Sequence, residues 1–160
     1  MSTSEKQYWL MKSEPNAYSI DDLKRDQVEP WDGIRNYEAR NTMRDDMNIG
    51  DGVLFYHSNT KPPSIVGSMK VASEPYPDHT QFDPESKYFD EKSTEDDPRW
   101  QLVDVEFVQK FDEPLPRNSL KEVPELQDMV IFKRIRLSIT PVTEKEWLKI
   151  HEMADADPMI

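Results

Sequence analysis

Residues 31–44 read Trp-Asp-Gly-Ile-Arg-Asn-Tyr-Glu-Ala-Arg-Asn-Thr-Met-Arg. This one short segment carries Trp31, Tyr37, Asn36, Asn41 and the arginines Arg35, Arg40 and Arg44. Such side chains stack on a flat heterocycle, bond to its edge or meet its phosphate. Set as a helix at ~100° per residue, 37–47 put Ala39, Met43 and Met47 on one apolar stripe. Tyr37, Arg40, Asn41 and Arg44 lie beside that stripe, and Glu38, Thr42, Asp45 and Asp46 fall on the far side. The arginines are thus segregated from the acids, toward the edge of the core where the mouth of a pocket would be. The plainer reading makes Trp31 a core tryptophan and the i,i+4 arginines solvated or paired.

Other chemistry finds little support. His57, His79 and His151 have no metal-ligand spacing, so no metal site is expected. With no cysteine there is no disulfide, thiolate nucleophile or thiolate metal site. Only four glycines are present, and none builds a phosphate loop. His57 and Ser58 are strand neighbours that point to opposite faces, which excludes them as a nucleophile pair. Ser13, Glu14, Tyr56 and Ser58 sit at expected strand ends, where binding groups and ordinary strand-end hydrogen bonds both occur. No cofactor and no catalytic residue are expected.

The bulk numbers frame these candidates. A chain of 160 residues fits one domain, 1–160, with a core over roughly 8–150 and tails at 1–7 and 153–160. No apolar run approaches the ~20 residues that span a membrane, and the polar start lacks a signal-peptide core. A cytoplasmic location and a monomer are the expectations. The net charge of -12 weighs against a protein that grips nucleic acid mainly through its backbone. The acid is concentrated, with eight carboxylates within 78–97, whereas Lys133, Arg134, Arg136, Lys145 and Lys149 dominate 130–149.

The elements that must position the candidates follow from local pattern. Residues 8–11 read as a buried strand. Ser19 caps a short helix, and Asn36 caps the helix over 37–47. A turn at 50–52 feeds a strand over 53–58, and another strand covers 64–72. Residues 75–98, broken by four prolines, read as a long acidic loop. A long strand follows over 99–111, then a short helix or turn at 119–126 and an ambiguous apolar stretch at 129–132. A last strand spans 137–142, and Thr143 with Glu146 forms a capping box. From 153 a frayed tail is expected. Strands this closely spaced, with short helices between, imply an α/β fold, a small mixed barrel with helices at its rim.

Longer motifs then add up. The run 8–15 (YWLMKSEP), the run 31–37 (WDGIRNY) with Ala39-Arg40-Asn41, and 55–59 (FYHSN) resemble the EVE domain family. So do Ile65-Val66-Gly67, 76–78 (YPD), 81–84 (QFDP), 98–100 (PRW), 103–105 (VDV) and 136–142 (RLSITPV). Ile135 stands where a glycine-type turn would be expected. The resemblance implies a PUA-like mixed β pseudo-barrel, akin to ASCH and YTH domains. It also implies a non-enzymatic nucleic-acid binder that reads a modified base of DNA or RNA flipped into a pocket. The residues it implicates, together with the helix pattern, are Trp31, Asn36, Tyr37, Arg40, Asn41, Lys12, Ser13, Tyr56, Ser58, Arg99 and Trp100. An enzyme using Ser13, Glu14 or His57, or a protein-interaction module using the acidic loop, are the competing readings.

Overall fold

The structure, a computed structural model, describes residues 6–158. The expected tails at 1–5 and 159–160 lie outside the described residues. Six strands form the main sheet: β1 (Tyr8–Ser13), β2 (Val28–Pro30), β3 (Gly52–His57), β4 (Ser64–Val71), β7 (Asp104–Pro116) and β8 (Ile139–Val142). Their order is β2-β7-β4-β3-β1-β8. β1 and β3 run parallel, with Trp9 opposite Val53 and Met11 opposite Phe55, and the remaining pairs are antiparallel. Two short strands, β5 (Tyr76–Pro77) and β6 (Gln101–Leu102), pair apart from the main sheet.

The centre of the sheet is buried on both faces, as consecutive apolar residues in β1 and β3 require. Trp9, Met11, Val53 and Phe55 face a first core, while Tyr8, Leu10, Leu54 and Tyr56 face a second. Register shifts between β3 and β4 and between β4 and β7 curl the sheet into a half-barrel. Gly67 sits at one of them, where a Cβ would collide with the Gln109 carbonyl oxygen. The sheet stays open. Pro30 and Pro141 lie on its two edge strands and have no N–H to donate to a further neighbour.

The helices are short: α1 (Ile20–Asp26), α2 (Tyr37–Asn41), α3 (Arg117–Lys121), α4 (Val130–Lys133) and α5 (Glu144–Met153). The capping boxes at Ser19 and Thr143 are both formed, and Asn36 caps α2 by accepting from the Ala39 N–H. The helix expected over 37–47 widens to a π-turn at Thr42–Asp46, closed by the Met47 N–H on the Thr42 carbonyl. The stripe survives: Ala39, Met43 and Met47 are buried, while Glu38 and Asp45 are exposed.

Three expectations need correction, and one ambiguity is resolved. The strand foreseen over 99–111 is broken at Val103, whose carbonyl instead accepts the Trp31 N–H, and its second part runs on to Pro116. The ambiguous stretch at 129–132 is helix α4. The acidic loop foreseen at 75–98 stays largely exposed but is anchored by β5 and a 3-10 turn at His79–Phe82. It packs down with Asp78 and Gln81 fully buried, and we call it the strap. The tail is held through residue 158. Ala156 donates to the His151 carbonyl, the Gln109 amide donates to the Asp157 carbonyl at 2.7 Å, and Met153, Ala154 and Ala156 pack on the second core.

Candidate functional site

A cavity of about 450 Å³ opens between the end of β1, the turn before α1 and the loop after β2. Trp31 lines it, held edge-on against Phe55 at 5.6 Å, with Tyr18, Tyr88 and Ile34 as further apolar walls. Ser13, Glu14, Glu29, Asp32, Lys12 and Lys87 bring the polar groups.

Each wall is fixed from a different part of the chain. Gly33 turns the backbone at φ 83°, and the Tyr88 ring lies so close that a Cβ there would sit 2.6 Å from it. Only glycine meets both demands. The Gly33 N–H donates to Asp78 at 2.8 Å. Asp78 also accepts from Arg35 and from the N–H and hydroxyl of Thr80. Burial by itself would raise the Asp78 carboxyl. The bonds from Thr80, Gly33 and Arg35 outweigh it and hold the carboxyl below its ordinary value. Arg35 closes the clamp by donating to the Tyr88 carbonyl at 2.7 and 3.1 Å. The strap therefore sets the far wall of the cavity.

The acids inside behave differently. Burial, and then the Asp78 charge, push the Asp32 carboxyl up. Burial, and then Asp32 and Asp26, do the same to Glu29. Among the described residues no side chain donates to either carboxylate, which suits them to amino groups on a ligand edge.

The residues named from sequence divide into groups. Trp31, Lys12 and Ser13 line this cavity. Lys12 also lines an adjoining cleft of about 450 Å³ with Tyr56 and Ser58, and donates to the Ile135 carbonyl at 2.9 Å. That turn is made without a positive φ at Ile135, so the departure from glycine is accommodated. Tyr37, Arg40, Arg99 and Trp100 form a separate cluster outside both spaces. Tyr37 stacks on Trp100 at 4.8 Å, and the Arg40 guanidinium lies over Tyr37 while donating to the Arg99 carbonyl. Asn41 accepts from Arg40. Asn36, besides capping α2, lines a shallow cleft with 133–137. Sequence reasoning passed over Tyr18, Glu29, Asp32, Lys87 and Tyr88. The one local hint was the aromatic pair Tyr88-Phe89 set among the charges of the strap.

The acid–base alternative loses its histidine geometrically. His57 Nε2 accepts the Ile20 N–H at 3.1 Å, and the ring packs on Phe55 rather than facing the cavity. Ser13 is committed as a donor to the Tyr18 carbonyl at 2.6 Å.

Comparison with known proteins gives a consistent picture. A family model described as the EVE domain matches residues 7–153. Mouse thymocyte nuclear protein 1 is 43% identical over 94% of this chain and 75% of its own length. A structure described as a hypothetical protein from Leishmania major superposes with a TM-score of 0.91 at 48% identity, covering 94% of this chain and 96% of that one. Human THYN1, solved in complex with DNA containing 5-methylcytosine, superposes with a TM-score of 0.88 at 41% identity, over 96% of this chain and all of that one (100%). With the family model spanning nearly the whole described chain and the fold shared at this level of identity, the chain belongs to the EVE domain family.

Proposed function

We propose that this protein is a nucleic-acid-binding module that acts by binding alone, holding a modified base of DNA or RNA in the Trp31 cavity. The observation that carries the reading is the cavity's composition. It combines an indole and two tyrosine rings with under-bonded carboxylates, in a volume within the ~300–1,000 Å³ usual for ligand pockets. Aromatic walls supply stacking, worth ~1–3 kcal/mol per base. Carboxylates accept from an exocyclic amine, the group that distinguishes cytosine and adenine from keto bases. That human THYN1 has been solved with DNA containing 5-methylcytosine supports carrying this reading to the chain. An apolar slot for one methyl adds only ~1 kcal/mol, so preference for a methylated over an unmodified base should be modest.

The test is a fluorescence-polarisation titration of matched modified and unmodified oligonucleotides, as DNA and as RNA, with the parent and with Trp31→Ala. The parent should bind, and the variant should lose roughly 5- to 150-fold in affinity, the range that corresponds to loss of one stacked base. Binding that is indifferent to Trp31, or no binding of any oligonucleotide, would overturn the reading.

A further inference from the structure

The arginines of this acidic chain are mostly spent on its own groups. Arg25, Arg35, Arg44 and Arg134 pair with Asp26, Asp78, Asp45 and Glu38, and Arg40 is used on Asn41 and the Arg99 carbonyl. Arg99 lies near Asp90, whose carboxyl is held down first by the Trp100 indole N–H and also by this charge. Arg117 and Arg136 differ. Among the described residues neither makes a salt bridge, and both line the cleft that adjoins the Trp31 cavity. Arg117 lies over the Phe132 ring at 5.3 Å, which orients the guanidinium without neutralising it. Lys12 shares the cleft. Burial and then the Arg117 charge lower its pKa, as expected of neighbouring cations. The single carboxylate in the lining, Glu14, accepts from the Asn59 amide. Ser58, Asn59 and Ser138 add neutral polar groups.

In a chain carrying 32 acids, three cations converging with Glu14 as the one carboxylate in the lining leave net positive charge there and favour an anion. We propose that this cleft is a second binding site, for a phosphate group, and that it holds the backbone phosphate beside the base in the Trp31 cavity. Lys12 and Glu14 line both spaces, so a phosphate in one is contiguous with a base in the other. The phosphate site stands on the cleft's own residues, and its link to a nucleic acid rests on the base-reading proposal above.

Two measurements test it on the full chain. The first is a titration with inorganic phosphate followed by amide NMR. The Ser58, Asn59 and Ser138 signals should shift, and they should not shift in an Arg117→Gln/Arg136→Gln double variant. The second is oligonucleotide affinity against salt. The double variant should flatten the slope of log K against log salt by about two units and weaken modified and unmodified sequences alike. If the double variant fails to fold, the exposed Arg136→Gln alone should flatten the slope by about one. No phosphate-dependent shift together with an unchanged slope overturns the site. Phosphate shifts with an unchanged slope keep the anion site and overturn its link to the base cavity. A flattened slope in the double variant, with Trp31→Ala harmless, keeps the cleft and sinks the base reading instead.

Discussion

The strap and the cleft treat charge in opposite ways. In the strap, Asp78 is fully buried yet accepts four hydrogen bonds, and Arg35 spends its guanidinium on Asp78, Thr80 and the Ile34 and Tyr88 carbonyls. The buried Asp78 charge is answered by Arg35 and backbone donors, while most other acids of the strap stay exposed, and the product is a fixed cavity wall. In the cleft, Arg117 and Arg136 are left unanswered by carboxylates. The contrast shows that charge density along the sequence is a poor guide to function. The acid-rich segment is a structural clamp, whereas two scattered arginines form the surface poised for a ligand.

The strongest way to break the contrast is Asp78→Ala. It strands the half-buried Arg35 charge and removes the acceptor of the Gly33 N–H, so it should destabilise by about 3–5 kcal/mol in urea denaturation. Its pH dependence has a definite sign. The folded carboxyl lies below its ordinary value of 3.8, so its contribution is complete above that pH and fades as pH falls through the lower, folded value. The variant should therefore show a shallower acid loss than the parent below pH 3.8. A variant as stable as the parent would show that the strap is held by something other than this clamp.

Gly33→Ala should come next. Forcing a Cβ into the left-handed region costs about 1–2 kcal/mol, and here the Cβ also meets the Tyr88 ring. Base affinity should fall with stability, because Tyr88 walls the cavity. Unchanged affinity would detach the strap from the site.

The histidines give a smaller effect. Burial lowers both His57 and His151, and neutral His57 accepts from Ile20. A depressed histidine pKa means that stability is complete above 6.5 and is lost as pH falls through the folded values. A His57→Gln/His151→Gln variant should therefore flatten the pH dependence of the unfolding midpoint below 6.5. An unflattened profile would place the acid sensitivity in the carboxylates alone.

Arg44→Ala should do least. Its pair with Asp45 is exposed, so neither the unfolding midpoint nor the salt slope should move measurably. A slope lowered by one would place Arg44, not the cleft, against a phosphate.

Local order was legible in the sequence because it depends on short-range periodicity and capping. The Ala39–Met43–Met47 stripe, the Ser19 cap, the Thr143–Glu146 capping box and the buried first strand follow from residues within a few positions of one another. The EVE-like motifs placed Trp31, Lys12 and Ser13 as candidates, and these three do line one cavity. The rest was decided by contacts far apart in the chain. Asp78 reads locally as one more solvated acid until Gly33 and Arg35, 45 and 43 residues earlier, supply its donors. Tyr37 and Trp100 were expected in the pocket, but they found each other across the core edge instead. Tyr88 became a wall only when the strap folded back over Gly33. Which cations stay unpaired is likewise a tertiary outcome, because it depends on where every carboxylate comes to rest. Sequence determines which faces are apolar and where helices begin; only closure of the chain assigns each polar group a partner or leaves it free for a ligand.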